Sequence, residues 1–433
     1  MDEHNFINYL EGIDPDYNHY ADFDINFKSY DTDNLKDNIH LDNGFNVLHH
    51  NARSLLSEGR LDEYGVLLDT LKDPFDVMAF SETWLKEHNV ENAQFHGFDH
   101  VYNIRPPAEG RLGNVGGGLS LFIKHGINYR TCNNLNIMES YIETLFIEIT
   151  HNNTKIILGL IYRVPNTNSR CFINKINEIL GPISNKHELL LLGDFNIDLL
   201  KDNTHARDFH NMMLSHYLTP TILEATRISS TTKHGQVQLS ETLIDNIFIS
   251  RKDEFATGLI KSSITDHYPI FISLTLAGEC NVSNPKTIKT RLINEERITN
   301  FKSELHKSLL KILPNVDNAR LAFNKFYRVF QFLYDKFFPI TTKIMKLKSI
   351  LKPWVTDILI KRIRIRDKLS KLANKGKIDK EIFTRFRNSL SSQLGSAKFN
   401  YFQSEFVKFQ NNGKKTWNII NSTINKKKQI YGN

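Results

Sequence analysis

From Phe45 onward the chain alternates short apolar runs with polar or glycine-containing breaks. The runs are Phe45–Leu48, Val77–Phe80, Leu119–Ile123, Leu145–Ile149, Ile156–Tyr162, Glu188–Leu192, Leu243–Ile249 and Ile270–Leu276. They are short and rich in Ile, Leu and Phe, which suits strands. Between them, Leu61–Leu71, Cys171–Leu180 and Ala206–His216 carry apolar residues at helical spacing. Strands interspersed with helices predict one α+β domain over 45–277, two packed sheets with helices outside. Gly116-Gly117-Gly118 enters a strand rather than a helix, so it reads as a tight bend or close backbone approach, not a phosphate loop.

The flanks follow other patterns. Residues 1–44 are rich in Asp, Asn and Tyr without a period of 2 or 3.6, and are expected to form a disordered acidic tail. Residues 278–290, with Asn-Val-Ser-Asn-Pro, resemble a linker. Residues 291–433 are expected to form a basic, mainly helical region. Leu359, Ile363, Arg366 and Leu369 share a helical period, and Pro353 is placed to start that helix. Most aromatics here, from Phe323 to Trp417, are expected in a helical core.

Charge sharpens this division. The chain of 433 residues has a formal net charge of +7. Residues 281–433 hold 33 basic and 10 acidic side chains, a net of +23. Residues 1–280 hold 22 and 38, a net of −16. A segment of +23 calls for a polyanion, nucleic acid first. Cys132, Cys171 and Cys280 are odd in number, widely spaced and without a C-x-x-C pair, which argues against a disulfide scaffold or zinc ribbon. The start, MDEHNFINYL, lacks signal-peptide order, and no apolar run approaches the roughly 20 residues of a spanning helix. The expected setting is intracellular, nuclear or cytoplasmic, without secretion or a membrane partner.

Candidate chemistry gathers at strand ends. Asn51, Glu82, Tyr162, Asp194, Asn196, Asp245, Asp266 and His267 lie at or just past the ends of apolar runs. Each alone is a common turn or edge residue. Together they are carboxylates, amides, one imidazole and one phenol, a set that suits Mg²⁺ or Mn²⁺ over zinc and the hydrolysis of a phosphodiester.

The strings HHNARSL (49–55), FSETWL (80–85), GLIYRVP (159–165), LLLLGDFNIDLL (189–200), TLIDNIFIS (242–250) and ITDHYPIFI (264–272) stand in the order typical of the endonuclease/exonuclease/phosphatase superfamily. Their wording resembles most the endonuclease domain of non-LTR retrotransposons (LINE elements of the jockey and CR1-like type). The resemblance implies a four-layer, deoxyribonuclease-like α/β/β/α sandwich and a Mg²⁺- or Mn²⁺-dependent endonuclease. Such an enzyme nicks double-stranded DNA to leave a 3′-hydroxyl. It implies Glu82, Asn51 and Asp266 at the metal, and Asp194 at the attacking water. Asn196 and Tyr162 would meet the water or the phosphate, and His267 a phosphate oxygen with Asp245 behind it. Arg163 and Arg227 are expected to touch nucleic acid. Thr226, Thr231 and Thr232 compete for the family's phosphate-contacting threonine.

Two departures matter. Arg53 stands where repair-type apurinic endonucleases carry an Asp, which argues against a dedicated repair enzyme. Lys352-Pro353-Trp354-Val355-Thr356 and the basic runs after it resemble the region leading to a reverse transcriptase, yet the sequence has no Asp-Asp dipeptide. The expectation is an endonuclease plus linker without its polymerase, its basic region able to hold element RNA, and no obligate protein partner readable. The alternatives are a catalytically silent nucleic-acid-binding remnant, or a phosphatase or RNA nuclease of the same superfamily. The loops at 103–118 and 229–240 are the candidates for target selection.

Overall fold

The computed structural model describes residues 25–32, 35, 44–71, 75–106, 116–151, 154–233, 236–250, 254–275, 287–291, 293–312, 318–344 and 352–424. Two sheets form its centre. The first has seven strands in the order β1 (Asn26–Asp31), β14 (Phe255–Lys261), β15 (Ile270–Leu274), β2 (Phe45–Asn51), β3 (Val77–Ser81), β5 (Leu119–Lys124) and β4 (Phe98–Asn103). The second has six, in the order β10 (Thr219–Pro220), β13 (Asp245–Ile249), β9 (Glu188–Asp194), β8 (Thr154–Arg163), β7 (Ile142–His151) and β6 (Asn128–Thr131). A hairpin of β11 (Arg227–Lys233) and β12 (Gln236–Thr242) stands apart from both.

Side-chain alternation sorts residues into layers. Phe45, Val47, Val77, Ala79, Leu119 and Leu121 of the first sheet share one core with Leu145, Ile147, Leu158, Leu160, Leu190 and Leu192 of the second. The odd-numbered Val47 faces this core, while Leu48 belongs to a separate cluster with Met78, Phe80, Phe122 and Phe271. That cluster packs against Tyr64, Leu67 and Leu68 of helix α1 (Arg60–Thr70). Helices α2 (Ser169–Leu180) and α3 (Thr204–Ser215) cover the second sheet, with Phe209 against Phe195 and Phe248. The result is an α/β/β/α sandwich. Central β9, buried on both faces, explains the continuous apolar run LLLL.

Three boundaries differ from expectation. Residues 1–44 were expected to be mostly disordered, and within them Asn26–Asp31 form β1, a parallel edge strand on β14. Ile25 and Phe27 pack near Leu223, and Tyr30 meets Phe271 at 5.8 Å between ring centroids, so two aromatics suffice to seat a short polar edge. Residues 1–24, 33–34 and 36–43 lie outside the described residues, as do 278–286 of the expected linker; β16 (Thr287–Arg291) already begins within that linker. The basic region is not one body. Glu279–Lys348 forms its own compact unit: β16 pairs with β17 (Ile340–Ile344), and helices α4 (Glu295–Ile312) and α5 (Ala319–Phe337) pack through Phe301 on Phe330 and Phe338. Ser349–Asn433 belongs instead to the unit that contains the sandwich.

This second segment supplies α6 (Asp357–Asn374), α7 (Lys380–Phe409) and α8 (Gly413–Ile424). Leu359 and Ile363 of α6 and Leu390 and Leu394 of α7 enclose Val66 on the far side of α1. Arg366 reaches Glu63 Oε1 at 2.8 Å and Asp367 Oδ1 at 2.9 Å, and Asp367 Oδ1 accepts the Ser263 amide at 3.0 Å. The expected aromatic core is only partial: Phe323, Tyr327, Phe332, Phe399 and Trp417 are exposed, because aromatics surround these helices while one stripe faces a neighbour. Among the described residues no helix is long and apolar enough to cross a membrane.

Candidate active site

Strand register assembles the site. Parallel pairing aligns Tyr162 on β8 with Asp194 on β9, and antiparallel pairing aligns Asp245 on β13 with the same Asp194. Three functional side chains therefore stand in one row at one end of the second sheet. Asn51 ends β2 opposite Ser81, and Glu82 follows one residue later. The β2–β3 end thus delivers an amide and a carboxylate from the first sheet to the same rim.

The backbone there is forced. Arg53, Ser54, Glu82, Trp84 and Asn196 all have positive φ, between 42° and 76°. Non-glycine residues hold such angles only where the surroundings over-determine them, and these angles cluster at functional sites. Here the amides of Ser54 and Leu55 donate to the carbonyls of Glu82 and Thr83, while those of Thr83 and Trp84 donate to Gly118 and Gly117. The triple-glycine bend is thus the strut under Glu82. At Gly117, φ is 98° and a Cβ would lie 2.4 Å from Glu143 Oε1, so only glycine fits.

Asn51 spends both amide hydrogens on carboxylates, Glu82 Oε1 at 2.9 Å and Asp194 Oδ2 at 2.8 Å. The Tyr162 hydroxyl donates to Glu82 Oε1 at 3.1 Å. Burial and the neighbouring Glu82 push that hydroxyl far above its ordinary range, so it stays a donor. The Asn196 amide donates to Asp194 Oδ1 at 3.0 Å, and its side chain donates to the Arg163 carbonyl at 2.8 Å. Burial, with Asp245 and Glu82 nearby, raises Asp194 above the ordinary carboxylate range, which makes it a stronger base than a free carboxylate.

Across the row, His267 Nδ1 meets Asp245 Oδ2 at 2.8 Å. Thr226 donates its hydroxyl to the same oxygen at 2.8 Å and accepts the Asp245 amide at 3.1 Å. Burial opposes charge on His267, but Asp245 above all, then Asp194 and Asp266, outweigh it and hold the imidazolium up to about 9. Burial likewise opposes charge on Asp245, yet His267 and the Thr226 hydroxyl hold it low. Behind the pair, His50 Nε2 lies 2.9 Å from the His267 carbonyl. A carbonyl only accepts, so Nε2 carries the hydrogen and Nδ1 accepts from Tyr64 at 2.6 Å. Burial pushes His50 down to about 3, so it braces His267 as a neutral ring.

Expected residues therefore meet at one place: Asn51, Glu82, Tyr162, Asp194, Asn196, Asp245 and His267. Three others stand differently. Asp266 was expected at the metal, but its oxygens pair with Arg53 and Arg227, each at 2.9 Å. Arg163, expected on nucleic acid, is 7% exposed; it donates to the Asn196 carbonyl at 2.8 Å and to Thr167, and so fixes the Asn196 loop from inside. Arg227 is half-buried beside the site in its pair with Asp266. Of the competing threonines, Thr226 is the one at the site; the side chains of Thr231 and Thr232 lie outside the described residues.

Sequence reading missed a buried pair. Glu143 on β7, opposite Tyr162, accepts from Arg105 and, at 2.7 Å, from the Gly118 amide. Burial raises its pKa to about 7 despite Arg105. The signal was a buried carboxylate, Glu143, in a mainly apolar strand whose other acid, Glu148, is the more exposed.

The donor set suits a hard divalent cation. Asp194 and Asp245 press two carboxylates on one imidazolium, Glu82 stands beside Asp194, and Asp245 Oδ1 is buried without a hydrogen-bond donor. Asp194, Asp245 and His267 offer ligand atoms within 4.8 Å of one another. Since His267 Nδ1 is committed to Asp245, the oxygens of Glu82, Asn51 and Asp194 are the better seat for a cation.

The sequence over residues 44–267 matches the model of the endonuclease/exonuclease/phosphatase family. No curated protein with which the chain was compared matches it. Among solved structures, the chain is similar to the endonuclease domain of TRAS1, a telomere-specific non-LTR retrotransposon, at 15% identity and a TM-score of 0.40, covering 54% of this chain and 99% of that one. It is similar to the AP endonuclease LMAP from Leishmania major at 12% identity and a TM-score of 0.44, covering 59% and 93%. It is also similar to D. rerio TDP2 complexed with single-strand DNA product at 13% identity and a TM-score of 0.38, covering 54% and 99%. With the family model spanning more than half its length, the chain belongs to the endonuclease/exonuclease/phosphatase family.

Proposed function

We propose that this chain is a Mg²⁺-dependent DNA endonuclease, related to those of non-LTR retrotransposons, that nicks one strand to leave a 3′-hydroxyl and a 5′-phosphate. The observation that carries the reading is the row Tyr162–Asp194–Asp245, faced by Asn51 and Glu82 and closed by His267. Water attacks phosphorus; its oxygen bonds to phosphorus as the bond to the 3′-oxygen breaks. Asp194 takes the water's proton, and Asn196, anchored to the Arg163 carbonyl, orients that water. His267 offers the Nε2 hydrogen to a phosphate oxygen, and Asp245 keeps the ring charged and turned. Tyr162 adds a second donor. The departing 3′-oxygen takes a proton from solvent. Glu82 and Asn51 would hold the divalent cation, which neutralises phosphate charge when bound.

Plasmid nicking tests this. Supercoiled DNA should relax to open circle with the parent and Mg²⁺, and stay supercoiled with EDTA. His267→Ala and Asp194→Ala should each nick at least about 100-fold more slowly. Equal nicking by parent and variants would refute the assignment. Retardation on a gel without nicking by the parent would favour a binding remnant.

A further inference from the structure

A cleft of about 520 Å³ opens beside the active site, between the loop of Arg53–Arg60, the first residues of β11, and the helices α6 and α7. Its walls carry Arg53, Arg60, Arg366, Lys380 and Arg387 against Glu58, Glu63 and Asp266. The acids are largely spoken for: Glu63 pairs with Arg366, and Asp266 pairs with Arg53 and Arg227. Two guanidinium groups retain capacity. Arg387 is exposed, and among the described residues its donors meet only the neutral Asn388 amide oxygen. Arg366 is 1% exposed, yet its Nη2 is buried without an acceptor. A buried cationic donor without an acceptor in a basic wall is a place for an anion. The cleft adjoins the catalytic groups through its own lining: Asp266 precedes His267, and the Arg53 amide donates to Asn51 Oδ1 at 3.2 Å.

We infer that this cleft is a phosphate-binding channel in which the α6–α7 hairpin grips the backbone of the DNA being cut, next to the scissile bond. The inference rests on the nuclease reading above and adds a binding wall made by the segment after residue 349. The hairpin is then part of the substrate site, and the basic excess of the C-terminal region has an address. Only backbone phosphates are engaged, so the grip is blind to sequence.

The test is fluorescence anisotropy of a labelled DNA duplex with the full chain in EDTA, across a salt series, for the parent and Lys380→Glu/Arg387→Glu. Both reversed residues are exposed, and thermal melting checks that the fold is kept. The double variant should bind at least about tenfold more weakly at 0.1 M salt, with the slope of log K against log salt smaller by about 2, one per lost phosphate contact. Arg387→Lys, which keeps the charge, should retain most of the parent's slope. His267→Ala is scored by plasmid nicking, where it reports on the nuclease reading alone. A folded double variant with the parent's affinity and slope overturns the channel, as does a parent that fails to bind duplex. If that double variant binds normally while His267→Ala fails to nick, the channel falls and the nuclease reading stands. If His267→Ala nicks as well as the parent, the nuclease reading falls whatever the binding shows.

Discussion

His267 carries its charge because Asp245 sits against Nδ1, and Asp245 stays ionised because Thr226 and His267 hold the same oxygen. The sign of the pH dependence follows. On the proposed mechanism Asp194 must be ionised to accept a proton, and its pKa is raised, so the nicking rate should fall as pH drops through that raised value. On the same mechanism His267 must be protonated, so the rate should fall again above about 9. Stability follows the same ring: its folded pKa exceeds the ordinary 6.5, so its contribution is complete below 6.5 and is lost as pH rises through about 9. Asp245→Asn removes the main attraction for the imidazolium. The alkaline limb of the nicking profile should then move down by about one unit or more; a limb that stays in place would show that another group titrates there. At this scale the sequence was largely legible, because Glu82, Asp194, Asn196, Asp245 and His267 sit in compact strings at strand ends. Asp266 and Arg163 were harder. Adjacent residues of a bend can point apart, and an arginine beside Tyr162 reads alike whether it faces solvent or Phe172.

The elements that could not be read were those defined by a distant partner. The helical period of Leu359 and Ile363 is visible in the sequence, but not that it faces Val66, some three hundred positions earlier. The hint lay in α1, where Tyr64, Leu67 and Leu68 face the sheet while Asp62, Glu63 and Val66 on other sides are buried too. A helix buried around most of its surface needs a second cover. Leu394→Ala should therefore destabilise the unit holding the sandwich by about 2–5 kcal/mol, read from chemical denaturation. Arg366→Ala should cost about 3–5 kcal/mol, since it leaves Glu63 and Asp367 buried without their cation. A loss below 1 kcal/mol for both would mean the hairpin is not part of that folded unit. Strand β1 escaped for a related reason: an edge strand of mostly polar residues has no period of its own, and only pairing with β14 reveals it.

Over the whole molecule, the shift of composition near residue 278 says nothing of the order of association. The unit 279–348 interrupts the segments that pack together, and local charge carries no information about which remote stretches share a core. The two sheets have a further relation. Asn51 and Glu82 come from the first, Tyr162, Asp194 and Asp245 from the second, and the Asn51 amide crosses between them. The reacting groups thus straddle the seam of the sandwich, and their separation repeats the spacing of the sheets. Gly159 lies on the other, helix-covered face of the second sheet, beside the ring of its cross-strand partner Phe146, and a Cβ there would crowd that ring. Gly159→Ala should cost about 1–3 kcal/mol of stability, read from chemical denaturation, and leave the seam as it is; if the folded variant also nicks DNA more slowly than the parent, the two faces of the sheet are coupled. A site built across a seam holds its groups together only while the two sheets keep their distance. Heat or pressure that shifts the sheets by a fraction of an ångström would disperse those groups before the chain unfolds.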